Sequence, residues 1–339
     1  MLFYENLESI IFHRNELFEC DELIILSGYI GPSPIKKLSK LSMNITVIYG
    51  MYASDGIRRS LHNIIVTESN KLSNVDILYS VIPIHSKCYV WKNKGKVVHA
   101  LIGSANFSEN GLNTPFKEVL AETTYDTFEV LNKYLNNVIE STIKCNDAVV
   151  KENKKYTSKS TVKELIEYDK DVCQMPLYVI DKNNREKYIP QSSGINWGMA
   201  KYNGSHVNIN DAYIKISSDM LERYPMLFPV KQLKPNKIDE VARVGHRNND
   251  NIEIIWDDGT VMTGLLEGSI NKIVDGVEKS YPKQISTTPR KSELGIYIRK
   301  RLGVSEGVPI TMKDLESYGR TTIDVSLQGE GIYYFDFSI

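Results

Sequence analysis

Two apolar runs near the start of the chain, ELIILSGYI (22–30) and ITVIYGMY (45–52), constrain the fold more than any other feature. Runs that are apolar on both alternating faces read as strands covered on both sides of a sheet. Such strands need helices above and below them, and helical spacing is present between the runs. It appears over Leu7 to Phe18, over Ser33 to Ser42 with Ser33 as N-cap and Pro34 at the first helical position, over Ser54 to Glu68, and over Tyr125 to Thr142. Further strands are predicted at VDILYSVI (75–82), KCYVWKN (87–93), VVHALIGSAN (97–106) and EVLAETT (118–124). The Asn93–Gly95 turn predicts a hairpin between the second and third of these. Residues 1–145 are therefore expected to form an α/β sandwich around a mixed sheet.

Residues 146–172 are charged, polar and without large apolar clusters, which is linker composition. From 173 to 339 the texture changes. PLYVID, DAYIKIS, NIEIIWDDGTVMTG, TTIDVSL and GIYYFDF are short strand-like runs separated by Gly, Asn, Asp and Pro. This region is expected to be a mainly β barrel or sandwich, with one helix near Ser292–Leu302.

Composition removes several classes of function. With 42% hydrophobic and 24% charged residues, the 339-residue chain has the balance of a folded protein and not of a disordered one. No stretch approaches the roughly 18 apolar residues of a membrane helix. The opening MLFYENLESIIFHRNELFECDE carries charges in every turn and does not read as a secretory signal. Cys20, Cys88, Cys145 and Cys173 are scattered singly, with no C-x-x-C pair, so neither a zinc knuckle nor a disulfide scaffold is expected. A reducing cytoplasm is the expected setting. The formal charge of −1 argues against a broadly basic surface, although Lys283 to Arg301 holds six Lys or Arg against one Glu. The acidic pairs Asp181/Glu186 and Asp257/Asp258 lack the strand context of a metal-dependent nuclease, so no metal or other cofactor is expected. There is no G-x-x-x-x-G-K-[ST] loop, and any use of ATP would belong to a separate helicase or ATPase subunit.

One constellation carries chemistry. His85-Ser-Lys87 opens one predicted strand, and Gly103-Ser104-Ala-Asn106 closes the next. Side chains two apart on a strand share a face, so His85 pairs with Lys87 and Ser104 with Asn106. The hairpin would bring all four together. An imidazole nucleophile beside an ammonium and neutral donors suits attack on a phosphodiester, because Lys and Asn can hold the non-bridging oxygens. Glu118 opens the following strand, where its carboxylate could bind the second ring nitrogen of His85 and fix its tautomer. A His-x-Lys pair alone arises easily by chance. Its joint occurrence with Gly-Ser-x-Asn and a following Glu, in this strand order, is what gives it weight.

The arrangement resembles the phospholipase D (HKD) superfamily, with the match covering about residues 80–122. That resemblance implies catalytic roles for His85, Lys87, Ser104, Asn106 and Glu118. The Asp that the superfamily often carries five residues after the lysine is Lys92 here, so the likeness is to the branch without it, which includes nucleases. Glu122 is a poorer fit to the acidic position because it lies at the far end of its strand. The superfamily uses two facing half-sites. None of His13, His62, His99, His206 or His246 has Lys two residues on, so one chain supplies one half-site and a homodimer through the nuclease domain is implied.

SGINWGMAKYNG (193–204), NINDAYIKIS (208–217), WDDGTVMTG (256–264) and SELGIYIRKRLG (292–303) resemble the C-terminal region of the NgoFVII (BfiI-like) family of restriction endonucleases. The resemblance implies a nuclease domain at 1–145, a linker at 146–172 and a DNA-reading pseudobarrel like the plant B-three domain at 173–339. It also implies double-stranded DNA as substrate and a cognate DNA methyltransferase as genetic partner. A reader of this kind needs polar, glycine-hinged arms. Residues 191–207 offer one arm, with Asn196, Trp197, Lys201 and Asn203. Gly264 to Gly276 offers another, with Asn271 and Lys272. Arg290, Lys291, Arg299, Lys300 and Arg301 are expected to meet phosphates. Trp197 reads more readily as core than as groove-facing, and Arg299 is also readable as an ordinary exposed helix residue. Two alternatives share these features: a non-specific nuclease or lipid phosphodiesterase of the superfamily, and a DNA-binding module with an inactive nuclease domain.

Overall fold

The computed structural model describes residues 1–151, 172–200, 207–231, 249–274 and 277–339. The chain divides into two compact units, Met1–Asn153 with Gln328–Ile332, and Lys154–Leu327 with Tyr333–Ile339.

The first unit is built on an eight-stranded mixed sheet. Its elements are β1 (Leu2–Phe3), α1 (Leu7–His13), β2 (Glu22–Ser27), α2 (Pro32–Lys37), β3 (Asn44–Tyr49), α3 (Tyr52–Asp55), α4 (Arg59–Ser69), β4 (Val75–Ser80), β5 (Lys87–Asn93), β6 (Lys96–Gly103), α5 (Glu109–Asn113), β7 (Leu120–Glu122), α6 (Phe128–Glu140) and β8 (Thr142–Lys144). The strand order is β1-β7-β6-β5-β2-β3-β4-β8. β2 and β4 lie parallel to β3, as helical crossovers require, while β5 runs antiparallel to β2 and to β6.

Both faces of the central strands are covered. Ile24 and Leu26 of β2, Ile48 of β3 and Val90 of β5 pack against Leu131, Leu135 and Val138 of α6. Those three follow helical spacing, and full burial of each such side chain stabilises by about 1.5–3 kcal/mol. On the opposite face Leu23, Ile25, Tyr89 and Trp91 are equally buried, and Phe107 stacks on Phe12 of α1. This is why the run 22–30 carries no polar alternation.

Two helix starts differ from expectation. α2 begins at Pro32 after Gly31, not at Ser33, because Pro32 occupies the first helical turn and frees the Ser33 hydroxyl to donate to Glu109. The helix expected over 54–68 is split at Gly56 into α3 and α4. Lys151, in the stretch read as linker, exchanges backbone hydrogen bonds with Ile57 and Arg59 of the first unit. The rest of that stretch, from 152 to 171, lies outside the described residues.

The second unit is mostly β. It contains β9 (Val172–Pro176), β10 (Val179–Ile180), β11 (Lys187–Tyr188), β12 (Ile214–Lys215), α7 (Ser218–Arg223), β13 (Asp250–Trp256), β14 (Val261–Glu267), β15 (Ile270–Val274), β16 (Val277–Tyr281), β17 (Gln284–Thr287), α8 (Ser292–Leu302), α9 (Met312–Tyr318), β18 (Thr322–Gly329) and β19 (Ile332–Asp336). Seven strands form a curled, nearly closed sheet in the order β12-β17-β14-β13-β19-β18-β9. Its interior holds Ile252, Ile254, Trp256, Leu266, Ile285, Ile323, Val325 and Phe335, with Leu294 and Ile298 of α8 packed in. α8 spans the predicted residues. α9 was not anticipated, although Thr311 and Asp314 form a reciprocal capping box that the sequence displays. Among the described residues no helix is long and apolar enough to cross a membrane.

Candidate active site

The β5–β6 hairpin sets Lys87 directly opposite Gly103, with Lys94 and Gly95 at its turn both at positive φ (49° and 76°). His85 lies just before β5, and Ser104 and Asn106 just after β6, at the same end of the hairpin. Gly103 has to be glycine, since a Cβ there would lie 2.0 Å from the Val119 carbonyl, just ahead of the adjoining β7.

His85, Lys87 and Asn106 converge. Lys87 Nζ lies 3.0 and 3.1 Å from the two ring nitrogens of His85 and donates to the His85 carbonyl at 2.7 Å. A third segment forms the floor. A Cβ on Gly28 would lie 3.0 Å from His85 Cδ2, and 3.3 Å from both Asn106 Oδ1 and Lys87 Nζ. Three reactive side chains therefore surround one bare Cα. The backbone of Gly28 does not need glycine's extra conformational range, so the space it leaves is what matters. If this is the phosphodiesterase site that the sequence implies, Gly28→Ala should fold normally and cleave about ten-fold or more slowly, because the displaced groups must each yield a few tenths of an ångström. Thermal melting and single-turnover cleavage rates check this; an unchanged rate would show that Gly28 does not bound the reaction space.

Neighbouring groups set the electrostatics. Burial pushes the Lys87 ammonium below its usual range, opposed by the charges of Glu118 and Glu330. Burial also raises the Glu118 carboxyl, against the Ser104 hydroxyl bond and the charges of Lys117 and Lys87. Ser104 Oγ in addition accepts from the Val119 N–H at 3.1 Å. Ser104 thus holds the segment that carries Glu118, just ahead of β7. Among the described residues no hydrogen bond joins Glu118 to the His85 ring, so the expected tautomer-fixing contact is not made here. Instead the ring stands edge-on to Tyr29, centroids 6.1 Å apart, and the Tyr29 hydroxyl donates to Asp55. Asn106 Nδ2 donates to the Glu330 carboxylate at 3.1 Å, which also pairs with Lys117. Glu330 belongs to the short segment Gln328–Ile332 that clusters with this unit.

Gly28, Tyr29 and Glu330 were not foreseen. A glycine ending an otherwise apolar strand run, as in ELIILSGYI, is the one signal that pointed to a close approach there. Glu122, the weaker acidic candidate, is engaged elsewhere with Arg14 and the N-terminal ammonium. Lys92 is buried and lies 3.9 Å from Glu22. Among the described residues, no three His, Cys, Asp or Glu side chains gather as a metal-binding group.

The expected DNA contacts of the second unit separate into two groups. Arg299 is wholly buried: its guanidinium donates to the carbonyls of Gly295 and Val308 and to Asn196 Oδ1. Asn196 is buried too, and its amide also joins Pro190 and Ile310. Arg301 makes a bidentate pair with Asp257 at 3.0 and 2.9 Å and binds the hydroxyls of Tyr297 and Tyr318. Asn196, expected to reach bases or phosphates, and Arg299 and Arg301, expected to meet phosphates, spend these donors on bonds inside the unit, where leaving them unpaired would be costly. Lys291 pairs with Glu267 and sits over the half-buried Trp197 ring, whose edge meets Tyr213. Lys272 pairs with Glu222, while Asn271 bonds Glu278 across the β15–β16 hairpin. Asn271, Arg290 and Lys300 are exposed. Lys201 and Asn203 lie outside the described residues.

Comparison with known families places both units. Residues 5–152 match the N-terminal PLD domain of the NgoFVII restriction endonucleases, and residues 170–328 match the C-terminal B3-like DNA-binding domain of the same family. The chain belongs to the NgoFVII restriction endonuclease family. The first unit is thus a PLD-type nuclease fold, and the nearly closed sheet of the second is a B3-like domain. Solved structures similar to part of the chain include NucT from Helicobacter pylori, at 20% identity over 42% of this chain and 97% of that one, TM-score 0.33. Nuc, a phospholipase D family member from Salmonella typhimurium, is 11% identical over 41% of this chain and 87% of that one, TM-score 0.28. A polyphosphate kinase from Porphyromonas gingivalis is 14% identical over 44% of this chain and 23% of its own, TM-score 0.28. No curated protein matches.

Proposed function

We propose that this NgoFVII-family chain is a site-specific endonuclease that hydrolyses double-stranded DNA without metal, through a phosphohistidine formed in an active site shared by two subunits. The observation that supports it most is the convergence of His85, Lys87 and Asn106 on Gly28. His85 of one subunit attacks phosphorus, forming a P–N bond as the P–O bond to the leaving oxygen breaks. The partner subunit's His85 gives that oxygen a proton, then takes one from water as the water attacks phosphorus and the P–N bond breaks. Lys87 and the Asn106 amide stabilise the negative charge on the non-bridging oxygens. The B3-like domain favours DNA over lipid as the substrate and a fixed site over random cutting. Cleavage at a fixed site also calls for a cognate methyltransferase to protect the host's own copies. An ATPase or helicase, if one is used, is a separate subunit.

Digestion of a sequenced plasmid in EDTA tests the reading. Discrete fragments with common ends, formed at the same rate in EDTA as in magnesium, are expected. A smear would remove site specificity. Activity lost to chelation and restored by magnesium would remove the metal-free mechanism.

A further inference from the structure

The Asn106 amide has a donor side and an acceptor side, and only the donor side is useful to a phosphate oxygen. Its orientation is fixed from behind. The Tyr29 N–H, which can only donate, points at Oδ1 from 3.0 Å. Nδ2 therefore faces outward, where it donates to the Glu330 carboxylate. Beside it lies Ser27, whose fully buried hydroxyl ends β2. Its single proton goes to the Tyr29 carbonyl at 2.6 Å, and its oxygen accepts the Phe107 N–H at 2.9 Å. A longer approach of 3.4 Å reaches Asn106 Oδ1 itself. The two chain segments are joined again where the Gly31 N–H donates to the Phe107 carbonyl at 2.8 Å.

We infer that Ser27 is a positioning residue: its hydroxyl clamps Tyr29 to Phe107 and thereby holds the Asn106 amide with its donor turned toward the substrate phosphate. The inference rests on the nuclease reading above, in which Asn106 binds a non-bridging oxygen. Without the hydroxyl, the Phe107 N–H and Tyr29 carbonyl lose a buried partner and the Tyr29 N–H is no longer held to Oδ1. The amide then samples the turned orientation, which presents an oxygen to an anion.

The experiment uses the full-length protein and the DNA site mapped by plasmid digestion. Ser27→Ala should slow single-turnover cleavage about ten-fold, as loss of one well-placed buried hydrogen bond does, with the Kd for the site unchanged. Ser27→Thr and Ser27→Val have the same shape and differ in the hydroxyl, so Thr should cleave about ten-fold faster than Val even where both melt lower than wild type. The decisive readout is a double-mutant cycle. In an Asn106→Ala background the Thr and Val forms should cleave at equal residual rates, because the group that Ser27 orients is gone. A Thr-to-Val ratio that persists in that background would overturn the positioning role, as would equal rates for Thr and Val with Asn106 intact. Wild-type protein that binds DNA but never cleaves would instead overturn the nuclease reading.

Discussion

On the proposed shared-site mechanism, His85→Ala should abolish cleavage, by at least about 10⁴-fold, because the change would remove the nucleophile from one half-site and the general acid from the other. Specific binding should stay within about two-fold, since DNA reading is assigned to the B3-like domain and one side chain of a separate unit adds little to a salt-dependent interface. The fold should survive as well. His85 lies in the short connection between β4 and β5, outside the strands, and its ring is held by Lys87 and by the Tyr29 edge, not by the apolar core around Ile24, Leu26 and Val90. Gel shifts and single-turnover rates on one duplex give both numbers. Cleavage within ten-fold of wild type would show that another group attacks phosphorus. A large loss of specific binding in a normally melting protein would show that recognition extends into the first unit.

How much of this was legible in the sequence depends on how far apart the interacting residues are. β5 and β6 were readable because strand alternation and a turn signal are local, and the same locality put His85, Lys87, Ser104 and Asn106 at one end of one hairpin. α8 was readable for the same reason. The floor of the site was not, because Ser27 and Tyr29 meet Asn106 across 79 and 77 residues of chain, and no local pattern announces such a contact. The setting of the basic residues of α8 was not legible either. Arg299 and Arg301 looked like part of a solvated stripe, but their carboxylate and amide partners, Asp257 and Asn196, lie 44 and 103 residues away. A charged side chain is oriented by where its distant acceptors fall, and sequence spacing carries no record of that. The start of α2 was missed by a smaller margin, since Pro32 and Pro34 are both acceptable near a helix N-terminus and only the Gly31 backbone decides between them.

A mixed dimer of one wild-type and one His85→Ala subunit separates a shared site from two independent ones. If each chain held a complete site, the mixed dimer would keep half of the wild-type rate. In a shared site both histidines would act on the same phosphate, one as nucleophile and one as acid and base. Removing either leaves the chemistry without the nucleophile or without proton transfer to the leaving oxygen, and the latter alone is worth about 10²–10⁴-fold. The surviving His85 can still attack, so the mixed dimer should retain about 1% of the wild-type rate or less, and not zero. On that mechanism both strands should be affected alike, because one phosphodiester at a time would occupy the space between the two histidines and the strands would be cut in sequence. Differently tagged subunits, co-expressed and purified through both tags, supply the mixed species, and its rate is read on a single-site duplex labelled on each strand. Cleavage of one strand at the wild-type rate with the other left intact would show that each subunit carries its own complete site, and the shared mechanism would be wrong.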